Sequence, residues 1–136
     1  MMTLVLYYSY SGHTKKIAKA LAAKESHDIA EIKNIHRPGK LKAYSLGCFA
    51  AMRGKAWKIQ PLDVDWDAYD SVCLMSPVWA GHPAPAINAA LMLLPTGKSV
   101  AVSMISASGK CGCRERLEAV IKARGCVMES FEDIKS

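Results

Sequence analysis

The chain has 136 residues, of which 51% are hydrophobic, and 18 Lys and Arg against 12 Asp and Glu give it a formal net charge of +6. A chain of this length predicts one domain, residues 1–136, that buries a core without metal or disulfide cross-links. No apolar run reaches membrane-spanning length, and the first residues show neither a basic leader nor a cleavage site, so we expect a cytoplasmic protein.

The excess of positive charge lies in residues 1–60. The basic side chains there are spread out, and no aromatic residues alternate with them as they would in a surface that stacks bases. A solvated basic face is therefore expected, and nucleic acid is not an expected partner.

Strand and helix patterns alternate along the chain. Apolar strand patterns cover residues 4–8, 28–32, 71–76, 99–106 and 126–131. Helical patterns cover residues 14–24, 41–58, 84–94 and 113–124, and the second is the weakest because Gly47 and Gly54 interrupt it. This alternation predicts an α/β fold with a parallel sheet and helices on both faces. Ligands of such sheets bind beyond the carboxyl ends of the strands.

The turn after the first strand is rich in hydroxyl groups and leads directly into a helix. It consists of Ser9, Tyr10, Ser11, Gly12, His13 and Thr14. A phosphate here would meet the free N–H groups of the first helical turn, and Gly12 would let the backbone approach it closely. The alternative is a simple helix cap in which Ser11 or Thr14 satisfies those N–H groups.

The turn after the third strand combines an aromatic residue with glycine and proline. It runs through Pro77, Val78, Trp79, Ala80 and Gly81, and continues to Pro85. Trp79 offers a flat apolar face for a ring system, although it could instead cap the core. His82 could donate a proton beside a ligand, or it could be an ordinary exposed loop residue.

The turn after the fourth strand is built from small residues, including Ser106, Ser108 and Gly109. Its exposed backbone groups could bond the polar edge of a ring, or the segment could be an ordinary strand-to-helix turn. No motif for a zinc or other metal site accompanies the three turns.

The five cysteines are irregularly spaced and lack the paired spacing of a zinc site, so free thiols are expected. Cys111 and Cys113 leave two interpretations open. They could be redox-active thiols at a helix N-terminus, or they could be inert packing residues.

The three turns together resemble those of the flavodoxin-like family over nearly the whole chain. The resemblance rests most on Ser9–Thr14 and on the Pro-Val-Trp sequence at residues 77–79. It implies a doubly wound, five-stranded parallel sheet of order 2-1-3-4-5 and noncovalent FMN. By position, the first turn would hold the phosphate, residues 77–81 would flank the isoalloxazine, and Ser106, Ser108 and Gly109 would close its far edge.

The resemblance leaves the role open between three functions. An electron carrier would pass electrons between a reductase and a redox partner protein or a small acceptor such as a quinone. An NAD(P)H-dependent quinone or flavin reductase would turn over by itself, and we would expect it to be a homodimer. A flavin-free interaction domain would keep only the fold. Two departures bear on this choice: the third turn has no aromatic residue, and the net charge is positive where electron-carrying flavodoxins are acidic.

Overall fold

A computed structural model of the chain describes residues 2–35, 39, 43–107 and 111–135. The strands are β1 Met2–Tyr7, β2 Asp28–Glu31, β3 Tyr69–Trp79, β4 His82–Pro83, β5 Ser99–Ser106 and β6 Val127–Lys135. The helices are α1 His13–Glu25, α2 Cys48–Met52, α3 Pro85–Met92 and α4 Arg114–Ala123. A π-helical turn, Ala43–Gly47, runs into α2, and a 3₁₀ turn, Trp66–Ala68, precedes β3.

Five strands form one parallel sheet in the order β2-β1-β3-β5-β6. The two-residue strand β4 pairs only with β3 and is antiparallel to it. When this short strand is left out of the numbering, the order is 2-1-3-4-5, so the predicted topology is confirmed. The carboxyl ends of β1, β3 and β5 therefore lie side by side at one edge of the sheet.

The sheet is covered on both faces, which explains the almost uninterrupted apolar character of β1. Its residues alternate between the two cores: Leu4 and Leu6 pack on the side of α3 and α4, and Val5 and Tyr7 pack on the side of α1. Because successive side chains of a strand point to opposite faces, a strand buried on both sides needs an apolar residue at every position. Full burial of one such side chain contributes about 1.5–3 kcal/mol.

The second helical pattern is shorter than predicted. Among the described residues of 41–58, only 43–52 are helical, and residues 41 and 42 lie outside the described part of the chain. The helix ends at Gly54, which has φ +66°. The Gly54 N–H bonds the Ala51 carbonyl at 3.1 Å, and the Lys55 N–H bonds the Ala50 carbonyl at 2.9 Å. This is a Schellman ending, so the left-handed glycine terminates the helix.

Two strands are longer than their patterns predicted. β3 continues from residue 76 to Trp79, and β6 continues from residue 131 to Lys135. The extension of β3 arises because β4 turns back and pairs with it. No helix in the described part of the chain is both long and apolar enough to cross a membrane.

Gly125 ends α4 in the same way that Gly54 ends α2. It has φ +76°, and a Cβ on it would lie 2.8 Å from the Cγ2 atom of Thr96. Gly97 has a similar φ of +85°, but a Cβ there would meet no atom within 4 Å. Alanine substitutions at the two glycines therefore distinguish two costs. Both variants carry the strain of a left-handed backbone, and only the Gly125 variant also carries a steric overlap.

We expect both Gly125→Ala and Gly97→Ala to lower the free energy of unfolding. The left-handed backbone costs each alanine variant about 1–2 kcal/mol. Gly125→Ala should lose more, because Thr96 must also move. Urea unfolding followed by circular dichroism would measure both losses. Equal losses in the two variants would show that the contact with Thr96 has no steric cost.

Candidate functional site

The turn between β1 and α1 has a backbone conformation that exposes it to solvent. Gly12 has φ +100° and occupies the position just before the helix, where no side chain caps the N–H groups. The Ser9 hydroxyl oxygen instead accepts the Gly12 N–H at 3.0 Å. The cap-only interpretation, in which Ser11 or Thr14 satisfies the first helical turn, therefore does not describe this turn.

The side chains of this turn differ in access. Ser11, Gly12 and His13 are exposed, whereas Thr14 is buried beneath the first helical turn. A Cβ built on Gly12 would meet no atom within 4 Å, so the space beside this glycine is open. The turn thus presents uncapped N–H groups, an exposed hydroxyl and the positive end of the helix dipole at one point, which is suited to an anion.

The segment after Ser76 is a hairpin rather than the loop that was predicted. Ala80 and Gly81 both have positive φ values, +51° and +79°, and they connect β3 to β4. Positive φ at both central residues is what a two-residue type I′ turn requires, and its twist matches that of the paired strands. Trp79 consequently faces His82 across the ladder, in a fixed strand position.

Trp79 lies at the centre of an aromatic cluster. The ring centroids of Tyr8, Tyr10 and Trp57 lie 6.0, 5.9 and 5.9 Å from that of Trp79, each in an edge-to-face arrangement. Gly47 allows this approach, since a Cβ on it would lie 2.6 Å from Trp79 Cζ3 and 3.0 Å from Trp57 Cη2. Trp79 is nevertheless only half-buried, so the cluster fixes its orientation and leaves part of it accessible.

Buried Ser76 secures the base of the hairpin. Its hydroxyl donates to the Pro77 carbonyl at 2.8 Å and accepts the Ala84 N–H at 3.2 Å. These two bonds satisfy a buried hydroxyl and join β3 to the start of α3. Pro77 pairs in register with Ile105 of β5, which places the hairpin beside the turn that follows Ser106.

The third turn contains a disulfide that the sequence did not reveal, and one of its sulfurs contacts the hairpin. Cys111 and Cys113 form a disulfide, and Cys111 Sγ lies 3.2 Å from the Gly81 carbonyl oxygen. The expectation of free thiols is therefore wrong for this pair, and it holds for Cys48, Cys73 and Cys126. The Cys-x-Cys spacing was the available signal, but the spacing alone does not fix the oxidation state.

Of the predicted residues in the third turn, only Ser106 is described, and it is half-buried at the end of β5. Ser108 and Gly109 lie outside the described residues. The structure thus joins the first turn to the hairpin through Tyr10 and Trp79, and joins the hairpin to the third turn through Gly81 and Cys111.

A cleft that the sequence reasoning missed runs beside the first turn. It has a volume of about 260 Å³ and is lined by Tyr8, Ser9, Tyr10, Lys33, Asn34 and Gln60, among others. The Asn34 amide nitrogen donates to the Tyr8 hydroxyl at 2.8 Å, and its Oδ1 atom is buried with no partner among the described residues. An acceptor without a donor beside a cleft marks a place where a ligand donor could bind.

His82 lies in a second cleft, of about 200 Å³, whose walls include Cys113, Asn88 and Arg116. His82 is half-buried, and its Nδ1 atom is buried with no partner among the described residues. Burial lowers the pKa of His82, and the nearby positive charge of Arg116 lowers it further. The exposed-loop interpretation of His82 therefore needs correction, since the residue is half-buried and belongs to β4.

We expect the NMR titration midpoint of His82 to lie below the ordinary value of 6.5. Because the folded state binds fewer protons on His82 than the unfolded state, this residue lowers stability as pH falls from 6.5 through the folded pKa. Arg116→Gln should raise the midpoint without restoring it fully, since burial, the larger cause, remains. A midpoint that did not respond to this substitution would show that Arg116 exerts no field on His82.

No protein-family model matches the chain, and no curated protein matches its sequence. Solved structures do match it. A flavoprotein from Lactobacillus acidophilus, crystallised in complex with FMN, aligns with a TM-score of 0.79 and 27% identity over 96% of this chain and 91% of that one. A protein from Bacteroides eggerthii aligns with a TM-score of 0.81 and 18% identity over 96% of this chain and 86% of that one.

A flavodoxin from Streptococcus pneumonia aligns over all of this chain and 87% of its own, with a TM-score of 0.54 and 13% identity. At 18% and 13% identity, the second and third likenesses concern the fold alone. They support the same overall α/β fold as the sheet described above. The chain therefore has the flavodoxin-like α/β fold.

Proposed function

We propose that the chain binds FMN noncovalently at the carboxyl edge of the sheet and carries electrons between a reductase and an acceptor. The observation behind this proposal is the meeting of the three turns: Tyr10 lies 5.9 Å from Trp79 by ring centroid, and Cys111 Sγ lies 3.2 Å from the Gly81 carbonyl. The likeness to the Lactobacillus acidophilus flavoprotein in complex with FMN supports this choice of ligand.

The first turn would hold the phosphate. Its uncapped helical N–H groups, the open space beside Gly12 and the exposed Ser11 hydroxyl fit a monoester phosphate. Ser9 uses its oxygen to accept the Gly12 N–H, and a hydroxyl that accepts a bond still has its proton to donate. Tyr10, His13 and Thr14 complete the proposed set. Backbone groups and the helix dipole supply the attraction, so no basic side chain is required.

The hairpin would position the ring system. Trp79 is oriented by its aromatic neighbours, and a Cβ on Gly81 would meet no atom within 4 Å. We place Pro77, Val78 and Ala80 beside the ring with them. On the other side, Ser106 would contribute from the third turn, and the proposal extends to Ser108 and Gly109 as a prediction from the sequence.

Bound FMN would supply the transfer of electrons or hydride, so the chain needs no catalytic acid or base of its own. The chain's part is to bind, to orient and to restrict access of water. Tyr8, Tyr10 and Trp79 pack against the hydrophobic core, so the proposed site is apolar on that side. The net charge of +6 would attract an anionic donor or acceptor.

The same positive charge favours a second function, an NAD(P)H-dependent quinone or flavin reductase, because both nicotinamide cofactors are anionic. A carrier oxidises NAD(P)H only when a separate reductase is added, whereas a reductase does so with a quinone alone. Failure to retain any FMN would instead favour the flavin-free interaction domain.

Replacing Trp79 with Ala should weaken FMN binding up to about tenfold, because an aromatic stacking contact contributes about 0.5–1.5 kcal/mol. Trp66→Ala is the matched control, since Trp66 lies before the amino end of β3, at the opposite edge of the sheet. Fluorescence titration with FMN measures both affinities. Equal affinities for wild type and Trp79→Ala would remove Trp79 from the site.

Replacing Gly12 with Ala should weaken FMN binding far more than riboflavin binding. A side chain at φ +100° strains the phosphate turn, and riboflavin has no phosphate to lose. Gly97→Ala controls for strain at a distant left-handed glycine with equally open surroundings. If FMN and riboflavin lost affinity by the same factor, the first turn would not be the phosphate site.

A further inference from the structure

The Cys111–Cys113 disulfide closes a loop that contains only Gly112. The loop-closure entropy that a disulfide removes from the unfolded chain grows with the length of the loop. A loop of this size therefore restrains the unfolded chain little, and the bond contributes little as a structural staple. Its position beside two other elements of the candidate site suggests a chemical use instead.

The two sulfurs differ in access. Cys111 is half-buried, at the rim of the hairpin, whereas the Cys113 side chain is fully buried. An external thiolate can therefore reach Cys111 and not Cys113. Thiol–disulfide exchange requires attack on one sulfur and departure of the other, so this asymmetry assigns the two roles.

The surroundings of Cys113 suit a leaving thiolate. Cys113 occupies the position just before α4, a ten-residue helix, and within the described part of the chain no side chain caps that end. The N–H groups and dipole of a helix N-terminus stabilise a thiolate. Arg116 lies in the first turn of α4, which also contains one acidic residue, Glu115. Arg116, Cys113 and His82 all line the 200 Å³ cleft.

Two further observations concern the same place. His82 Nδ1 is a buried atom with no partner among the described residues, and it lies in that cleft with Cys113. On the other side, Cys111 Sγ lies 3.2 Å from the Gly81 carbonyl oxygen. The disulfide sulfur has no proton to give this oxygen, whereas a reduced Cys111 can donate its S–H. The reduced pair thus gains a hydrogen bond that the disulfide lacks, which makes the dithiol accessible.

We propose that Cys111 and Cys113 form a reversible dithiol–disulfide couple that exchanges with external thiols, with Cys111 as the sulfur attacked and Cys113 as the leaving group. A thiolate RS⁻ bonds to Cys111 Sγ, the Cys111–Cys113 bond breaks, and its electron pair leaves on Cys113 Sγ. A second RS⁻ attacks the R sulfur of the mixed disulfide and releases RSSR and the Cys111 thiolate. Two protons taken up from water complete the dithiol.

This couple does not require a bound flavin, so its test uses the purified full chain without FMN. The protein is equilibrated with reduced and oxidised glutathione over a range of ratios, quenched by alkylation and analysed by mass spectrometry. Cys111 and Cys113 should change from unmodified to alkylated together, as one two-electron transition, while Cys48→Ser leaves the transition unchanged. Failure of FMN binding would not affect this result.

Single variants test the assignment of roles. Cys113→Ser should accumulate a glutathione adduct on Cys111, and Cys111→Ser should leave Cys113 without one, while circular dichroism confirms that both variants are folded. A pair that stayed oxidised at every ratio, or stayed reduced at every ratio, would overturn the couple. An adduct that formed on Cys113 and not on Cys111 would overturn the order of attack.

Discussion

The edge-to-face packing of Trp79 against Tyr8, Tyr10 and Trp57 is the interaction on which the candidate site depends. It joins the turn after β1 to the hairpin after β3, and it includes a residue from the segment that follows α2. Without it, the turns would still share one edge of the sheet, because parallel strands end together. The aromatic contacts convert that shared edge into a fixed arrangement of groups.

Backbone geometry at two places makes this packing possible. Gly47 leaves room for the Trp79 ring, and the Ala80–Gly81 turn returns the chain so that β4 pairs with β3. Because its strands are paired, the hairpin is rigid even though the segment is rich in glycine and proline. A binding residue in a strand position is more strongly fixed than one in an open loop, and preorganisation of this kind reduces the entropy lost when a ligand binds.

The alternation of strands and helices could be predicted because it follows from patterns that are local in the sequence, whereas the strand order was implied only by the resemblance to the flavodoxin-like family. Runs such as Leu4–Tyr8 are apolar at every position, which favours strands that are buried on both faces, and the helical patterns between them require crossovers. The first turn was recognisable for the same reason, since a strand, a hydroxyl-rich turn and a helix follow one another directly.

The contacts that complete the site could not be predicted, because they join residues that are distant in the sequence. Nothing near Trp57 or Gly47 indicates that they pack on Trp79, and the Cys-x-Cys spacing does not reveal whether the sulfurs are bonded. The extension of β3 depended on β4, whose two residues are too few to show a pattern.

An NMR titration of isotopically labelled protein with FMN tests most directly whether the three turns bind one flat, phosphorylated ligand. We expect the amide of Gly12, the indole N–H of Trp79 and the amide of Ser106 to shift together and to saturate with a single dissociation constant. Shifts confined to one of these groups, or saturation at separate concentrations, would contradict a single shared site.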